Sequence, residues 1–274
     1  MPTHERPLVG VLPAAGRGSR LLAHGGEKEL LPVGHRVVDG PNGPMRTPRR
    51  VIEYVCDSMI AAGVTRIVVI TSPVKIDRIA EHLASVYEAS ADVAHVVLND
   101  SPSMPHSIAS AHAWLEGADV VMGMPDTIPM PGDSFTQLLT AYRRTDADLS
   151  LGLYRTDTPH RFGMVEIDDD ERVIAHADKP ATWRGDLTWG IAAWNPRFTE
   201  LIGRVVRNHP DGARELPLGG AFDEAMVLDY DVRGHPLAGG AYHDIGDYDA
   251  YQATVAELRD DPGSFAVPTA ATIA

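Results

Sequence analysis

From residue 8 to residue 124, short apolar runs alternate with stretches of helical period, and this rhythm limits the fold more than any other feature. Leu8–Pro13 (LVGVLP), Arg66–Thr71 (RIVVIT), 93–98 and 120–124 have the length and apolar content of buried strands. Between them, 49–62 puts Val51, Ile52, Val55, Met59 and Ile60 on one face and stops at Gly63, as an amphipathic helix does. Residues 75–84 and 108–115 read as further helices, and the polar, Gly- and Pro-rich 36–48 as an exposed loop. Strands apolar on both faces, separated by helices, predict an α/β fold with parallel strands and crossover helices. After about residue 145 the rhythm tightens, with strands at 149–154, 164–167, 173–177 and 189–194 and helices at 197–206, 221–228 and 248–258. No internal repeat or long linker interrupts this. The expected organisation is one domain over 1–262, with halves dividing near residue 145 and a loose tail over 263–274.

The first strand runs into Pro13-Ala14-Ala15-Gly16-Arg17-Gly18-Ser19-Arg20, and Lys28 follows before Leu30-Leu31-Pro32. Small residues after a strand let backbone N–H groups approach phosphate oxygens, and Arg20 and Lys28 add full charges. The setting makes this cluster informative, because 24 Lys and Arg against 38 Asp and Glu give a net charge of −14. Such a chain is a poor partner for a nucleic-acid backbone. A P-loop would need Gly-Lys-[Ser/Thr], which is absent. A dinucleotide loop would need a third glycine and an acidic residue closing the next strand, whereas RIVVIT ends in Thr71. A polyphosphate cradle and a surface turn with scattered basic residues remain, and the spacing of Arg20 and Lys28 favours the cradle.

Two carboxylates stand where a nucleotide site would use them. Residues 120–124 lead into Pro125-Asp126, at the carboxyl end of a strand, where open α/β sheets bind ligands. Asp244 follows Gly239-Gly240 and precedes the last helix, and Asp247 is the better N-cap of that helix. Each aspartate also suits a turn. Residues 161–167 and 173–177 form a hairpin that ends at Asp178-Lys179-Pro180. His106 reads as a polar loop residue, and the histidines show no metal-binding spacing.

Gly16-Arg17-Gly18-Ser19-Arg20-Leu21 followed by Lys28-Glu29-Leu30-Leu31-Pro32 resembles the G-x-G-[ST]-R-[LM] and K-x-L-x-P signature of the sugar-1-phosphate nucleotidylyltransferases, from about Leu8 to Tyr251. The Pro-Ala-Ala-Gly lead-in resembles the UTP-glucose-1-phosphate uridylyltransferases, and the compact length the glucose-1-phosphate thymidylyltransferases. The resemblance implies a Rossmann-like, mixed but mostly parallel sheet flanked by helices, as in the GT-A-like nucleotide-diphospho-sugar transferases. It implies that Ala14, Ala15, Gly16, Gly18, Ser19, Arg20, Lys28 and Ser107 bind an NTP. Arg20, Lys28 and Asp126 take catalytic roles, and Asp126 and Asp244 hold Mg²⁺. Gly163, Asp178, Lys179 and Arg214 hold the sugar phosphate. Four departures stand out. Asp178 replaces a glutamate, Arg214-Glu215-Leu216 lacks a glycine, Ser107 stands where the family often has glycine, and Gly246 is followed by Asp247-Tyr248 rather than Thr-Pro.

The expected reaction is NTP + sugar 1-phosphate → NDP-sugar + pyrophosphate, with dTTP or UTP favoured. The altered segments leave open a non-sugar phosphate or phosphonate acceptor, or a non-catalytic sugar-nucleotide-binding regulatory relative. No nucleic-acid or membrane partner is expected, and a homo-oligomer is compatible with the sequence. Cys56 alone cannot build a disulfide framework, no apolar run nears the roughly 20 residues of a membrane span, and the start lacks a signal-peptide core, which together fit a cytoplasmic setting.

Overall fold

The computed structural model describes residues 6–16, 27–210 and 215–260. In chain order these form β1 (Leu8–Pro13), β2 (Pro32–Gly40), β3 (Gly43–Arg50), α1 (Val51–Ala61), β4 (Arg66–Thr71), α2 (Ile76–Tyr87), β5 (Asp92–Val97), α3 (Met104–Ser110), α4 (His112–Leu115), β6 (Asp119–Gly123), β7 (Thr127–Met130) and α5 (Ser134–Thr145). There follow β8 (Leu149–Arg155), β9 (Gly163–Ile167), β10 (Val173–Asp178), β11 (Leu187–Trp194), α6 (Pro196–Asn208), α7 (Gly219–Val227), β12 (Val232–Pro236), β13 (Ala241–Asp244) and α8 (Tyr248–Asp260).

A mixed sheet of nine strands runs through both halves of the chain and carries helices on both faces. Its first part is parallel, in the order β6-β1-β4-β5. Beyond β6 comes β11, antiparallel to it, and then β8 and β12. Period-2 alternation along β1 explains why both faces are covered. Val9 and Val11 enter one core with Val68, Ile70, Val120 and Met122, beneath Ile108, Leu115, Phe198 and Phe222 of the helices. Leu12 enters the other with Ile67, Val69 and Val121, against Ile52, Val55, Met59, Leu83 and Leu138.

After β1 the chain builds β4 and β5 to one side, then returns to place β6 on the other. The strand order therefore reverses between β1 and β6, and it is at the carboxyl ends of such strands that an open α/β sheet forms its ligand crevice. The hairpin of β9 and β10 closes the far side of that crevice. Gly123, the last residue of β6, sits opposite Ile191 of β11, and Met164 of β9 sits opposite Thr188 on the same edge. Thus β9 starts in line with β6, just past its end. The hairpin expected at 161–178 is confirmed by this pairing.

Three expectations are corrected. Residues 36–48 are exposed but lie in a two-stranded ribbon, β2 with β3, joined at Pro41-Asn42 with Gly43 at φ +112°. Prolines 44 and 48 are tolerated because a two-stranded ribbon leaves outer edges unpaired. The helix expected over 108–115 is two, α3 and α4, which meet at Ala111. His106 sits inside α3 rather than in a loop; its Nδ1 lies 2.8 Å from the Ser103 hydroxyl, and burial, then His209, pushes its pKa down. Four elements lie outside the rhythm read from the sequence: β7, α5, β12 and β13.

Gly190 lies in β11 where the pairing with β8 slips by a residue, and a β-carbon there would stand 2.5 Å from the Tyr242 ring and 2.8 Å from that of Tyr154. These rings stack at 5.1 Å and seat β13 against the main sheet. Gly190→Ala should destabilise the protein by about 1–3 kcal/mol through overpacking. Denaturant unfolding measures this, and an unchanged midpoint would contradict the packing described.

Candidate active site

The carboxyl end of β1 is anchored before it enters the crevice. The Ala14 amide donates to the Ile70 carbonyl at 2.6 Å, so the chain follows the sheet one residue beyond the strand. Ala14 is buried, Ala15 half-buried and Gly16 exposed, with open space where a side chain would stand. Gly18, Ser19 and Arg20 lie outside the described residues, as does Arg214.

The chain returns to the crevice in a 3₁₀ turn, Lys28–Leu30, whose side chains point to alternate sides. The Lys28 ammonium donates to Oδ2 of Asp126, just past the end of β6. Both are largely buried, with side chains 18% and 15% exposed. Burial alone would weaken the ammonium, but Asp126, and then Glu29 and Asp244, outweigh it and raise the Lys28 pKa above the ordinary lysine value. On the other side of the turn Glu29 Oε1 accepts from Lys75 Nζ at 2.8 Å, and Glu27 pairs with Arg78 at 2.7 Å. Burial pushes the Glu29 carboxyl up, and Lys75 opposes that shift.

The sequence separates Asp126 from Asp244 by more than a hundred residues, and the fold joins them. Strand β7 starts right after Asp126 and pairs antiparallel with β13, so Asp244 faces Thr127. The Ile245 amide then donates to the Asp126 carbonyl at 3.1 Å. The ribbon rests on a small apolar cluster of Val33, Val51, Tyr54, Ile128, Met130 and Ile245. Asp244 is thus held close to Asp126, near enough to act on the charge of Lys28. Asp247 caps α8 as expected, accepting from the Ala250 amide at 2.9 Å.

Three of the residues expected to hold the sugar phosphate lie near the end of β6. Gly163 opens β9 just beyond the end of β6 and pairs with Asp178, the last residue of β10. A β-carbon on Gly163 would lie 2.3 Å from Nε1 of Trp189, so only glycine lets this indole lie against the start of β9. Lys179 takes a left-handed backbone, φ +46°, and its amide donates to the Phe162 carbonyl at 2.9 Å. Asp178 and Lys179 are exposed. Ser107 is less open: its hydroxyl is buried in α3 beside those of Ser101 and the Ser103 carbonyl. Sequence reasoning gave no role to Glu29, Lys75 or Trp189. Glu29 lies inside the loop motif, but nothing local marks Lys75 as its partner.

Among the described residues, no group of three or more His, Cys, Asp or Glu is placed to bind a metal by itself. Two neighbouring carboxylates suit a hard cation that takes its remaining ligands from a bound anion and water. No helix among the described residues is long and apolar enough to cross a membrane.

Comparison with known proteins identifies the family. The chain is 24% identical over 235 residues to a low-salt glycan biosynthesis nucleotidyltransferase, Agl11, of Haloferax volcanii, covering 85% of this chain and 61% of that protein. It is 23% identical over 230 residues to a glucose-1-phosphate thymidylyltransferase of Streptomyces antibioticus, covering 82% and 59%. The chain thus spans about three fifths of the length of these curated relatives. A UTP-bound UGPase from Acinetobacter baumannii superposes with a TM-score of 0.73 at 18% identity, covering 94% of this chain and 96% of that one, which shows the shared fold. The profile of the family described as Nucleotidyl transferase matches residues 9–261, nearly the whole chain, and the protein therefore belongs to that family.

Proposed function

We propose that this chain transfers a nucleotidyl group from an NTP to a sugar 1-phosphate, releasing pyrophosphate. The observation that carries the reading is the pairing of Lys28 with Asp126 where the strand order reverses, with Asp244 brought close by the pairing of β13 with β7. The names of the relatives, thymidylyltransferase and UTP-bound UGPase, favour dTTP or UTP as donor. A sugar 1-phosphate acceptor fits Gly163, Asp178 and Lys179 at the opposite wall.

The chemistry needs no protein nucleophile. An oxygen of the acceptor phosphate attacks the α-phosphorus in line, the bond to the bridging oxygen breaks, and pyrophosphate leaves with the electron pair. The protein positions the two phosphates and stabilises the charge that moves between them. Lys28 remains charged, as its raised pKa implies, and with Arg20 it takes the charge growing on pyrophosphate. Asp126 and Asp244 would hold Mg²⁺, which supplies Lewis-acid stabilisation of the phosphates. Lys28 neutralises Asp126. An NTP phosphate would compete with Asp126 for the Lys28 ammonium, and the carboxylate so released would hold the metal together with Asp244. Lys179 orients the acceptor phosphate.

Asp126→Asn and Asp244→Asn should each abolish metal-dependent turnover, read as pyrophosphate release across NTPs and sugar 1-phosphates. A wild-type rate unchanged by EDTA would remove both assignments. Arg20→Ala should lower kcat by orders of magnitude in a folded protein, because the contact acts on the leaving group. Near-normal turnover would sink the cradle. Lys28→Ala should weaken binding of a non-hydrolysable NTP with Mg²⁺ by about ten- to a hundredfold, since a charge-assisted bond is worth about 1.5–3 kcal/mol. Lys179→Ala should spare NTP binding and raise KM for the acceptor. Calorimetry and an acceptor titration separate the two, and the reverse pattern would require exchanging the two sites.

A further inference from the structure

The chain contains 24 cationic side chains other than histidine, of which 21 are arginine and three are lysine: Lys28, Lys75 and Lys179. Two of these three have places in the proposed site. Lys75 is the deepest-lying of the three, with its side chain 8% exposed, and it touches neither reacting phosphate in the reading above. We propose that Lys75 is a positioning residue, which clamps the two chain segments bracketing residues 17–26 and so fixes Lys28 in the crevice. The proposal rests on the reading of Lys28 as an NTP-binding group.

The geometry is specific. Lys75 precedes α2, and its ammonium donates to Glu29 Oε1 at 2.8 Å and to the Ala14 carbonyl at 3.2 Å. Ala14 is where the chain leaves β1 for the crevice, and Glu29 is where it returns. A single buried cation therefore binds both ends of one excursion. Ala14 is already held to β4 through the Ile70 carbonyl, so Lys75 ties the returning segment to the sheet. Glu29 is 1% exposed and adjacent to Lys28. Holding Glu29 toward α2 sets the rotation of the 3₁₀ turn and aims Lys28 at Asp126 on the other side. Lysine suits this task because its compact ammonium reaches a carboxylate and a carbonyl together in a narrow space, whereas a planar guanidinium needs a wider one. Arg78 and Glu27 repeat the pairing one turn along α2 at a more exposed position.

The test compares full-length wild type with Lys75→Met, Glu29→Gln and the double variant Glu29→Leu/Lys75→Met, each checked for folding by circular dichroism. Removing one partner leaves a buried charge, so the single Lys75 variant is the one at risk of unfolding. The double variant has no such charge, and Glu29→Gln keeps an acceptor for Lys75. Trace acetylation with acetic anhydride, without nucleotide, reports the state of Lys28, and with three lysines the peptide map is unambiguous. We expect Lys28 to label several-fold faster in the double variant, Lys179 to label as in wild type, and Glu29→Gln to fall between. Turnover should drop at least tenfold in kcat in the double variant, with KM for the acceptor little changed and partial retention in Glu29→Gln. A folded double variant with wild-type Lys28 labelling and wild-type kcat would overturn the proposal and leave the pair a purely structural role. Should the wild type release no pyrophosphate with any NTP and acceptor, the proposed function fails, while the labelling of Lys28 still decides whether Lys75 positions it.

Discussion

Strand β1 has hydrogen-bonded neighbours on both edges and apolar side chains on both faces, so its backbone polar groups are satisfied until it stops. What happens at that end governs the site. The Ala14 amide finds the Ile70 carbonyl, the Ala14 carbonyl finds Lys75, and Ala15 and Gly16 emerge into the crevice between β1 and β6. The same parallel packing ends β6 beside it and presents Asp126. The apolar cores thus do more than hold the sheet together. They force two strand ends, and the backbone that follows them, to one side of the molecule.

Charge is handled locally in a chain whose net charge is −14. The two largely buried lysines at the loop that follows β1 each have a carboxylate against them: Asp126 on Lys28 and Glu29 on Lys75. A buried pair of this kind contributes little net stability, because desolvation offsets most of the attraction, yet losing one partner is costly. Such pairs hold orientation. On the proposed function Lys28 would exchange Asp126 for a phosphate of the nucleotide, while Lys75 keeps its hold on Glu29. The wall proposed for the acceptor differs, with exposed Asp178 and Lys179 on a hairpin end whose course is set by Gly163 under Trp189.

The strands of the parallel region were legible because they are buried on both faces, and an apolar run such as RIVVIT has few other uses. The ribbon of β2 and β3 was not, because most of its residues face solvent and three of its positions are proline, so neither period nor composition marks a strand. The ribbon of β7 and β13 escaped for another reason. Each strand is four residues long, and their pairing joins residues 127–130 to 241–244, a contact no local pattern encodes. Of the site, Lys28 and Asp126 could be read from a loop motif and a strand end, and Asp244 from resemblance. Their convergence depends on that unread ribbon. Lys75 lies 46 residues from Glu29, and only the packing of α2 against the returning loop brings the two together. Arg20 and Arg214, both named from the sequence, fall outside the described residues.

The central claim is that Lys28 exchanges Asp126 for a phosphate when the nucleotide binds. Nitrogen-detected NMR of the side-chain ammonium groups, in protein labelled with ¹⁵N-lysine, follows this directly, with three signals to assign from single substitutions. Adding Mg²⁺ with dTTP or UTP should shift the Lys28 signal strongly, and adding glucose 1-phosphate alone should leave it in place. A Lys28 signal that ignores every Mg²⁺–NTP while the nucleotide demonstrably binds would contradict the account.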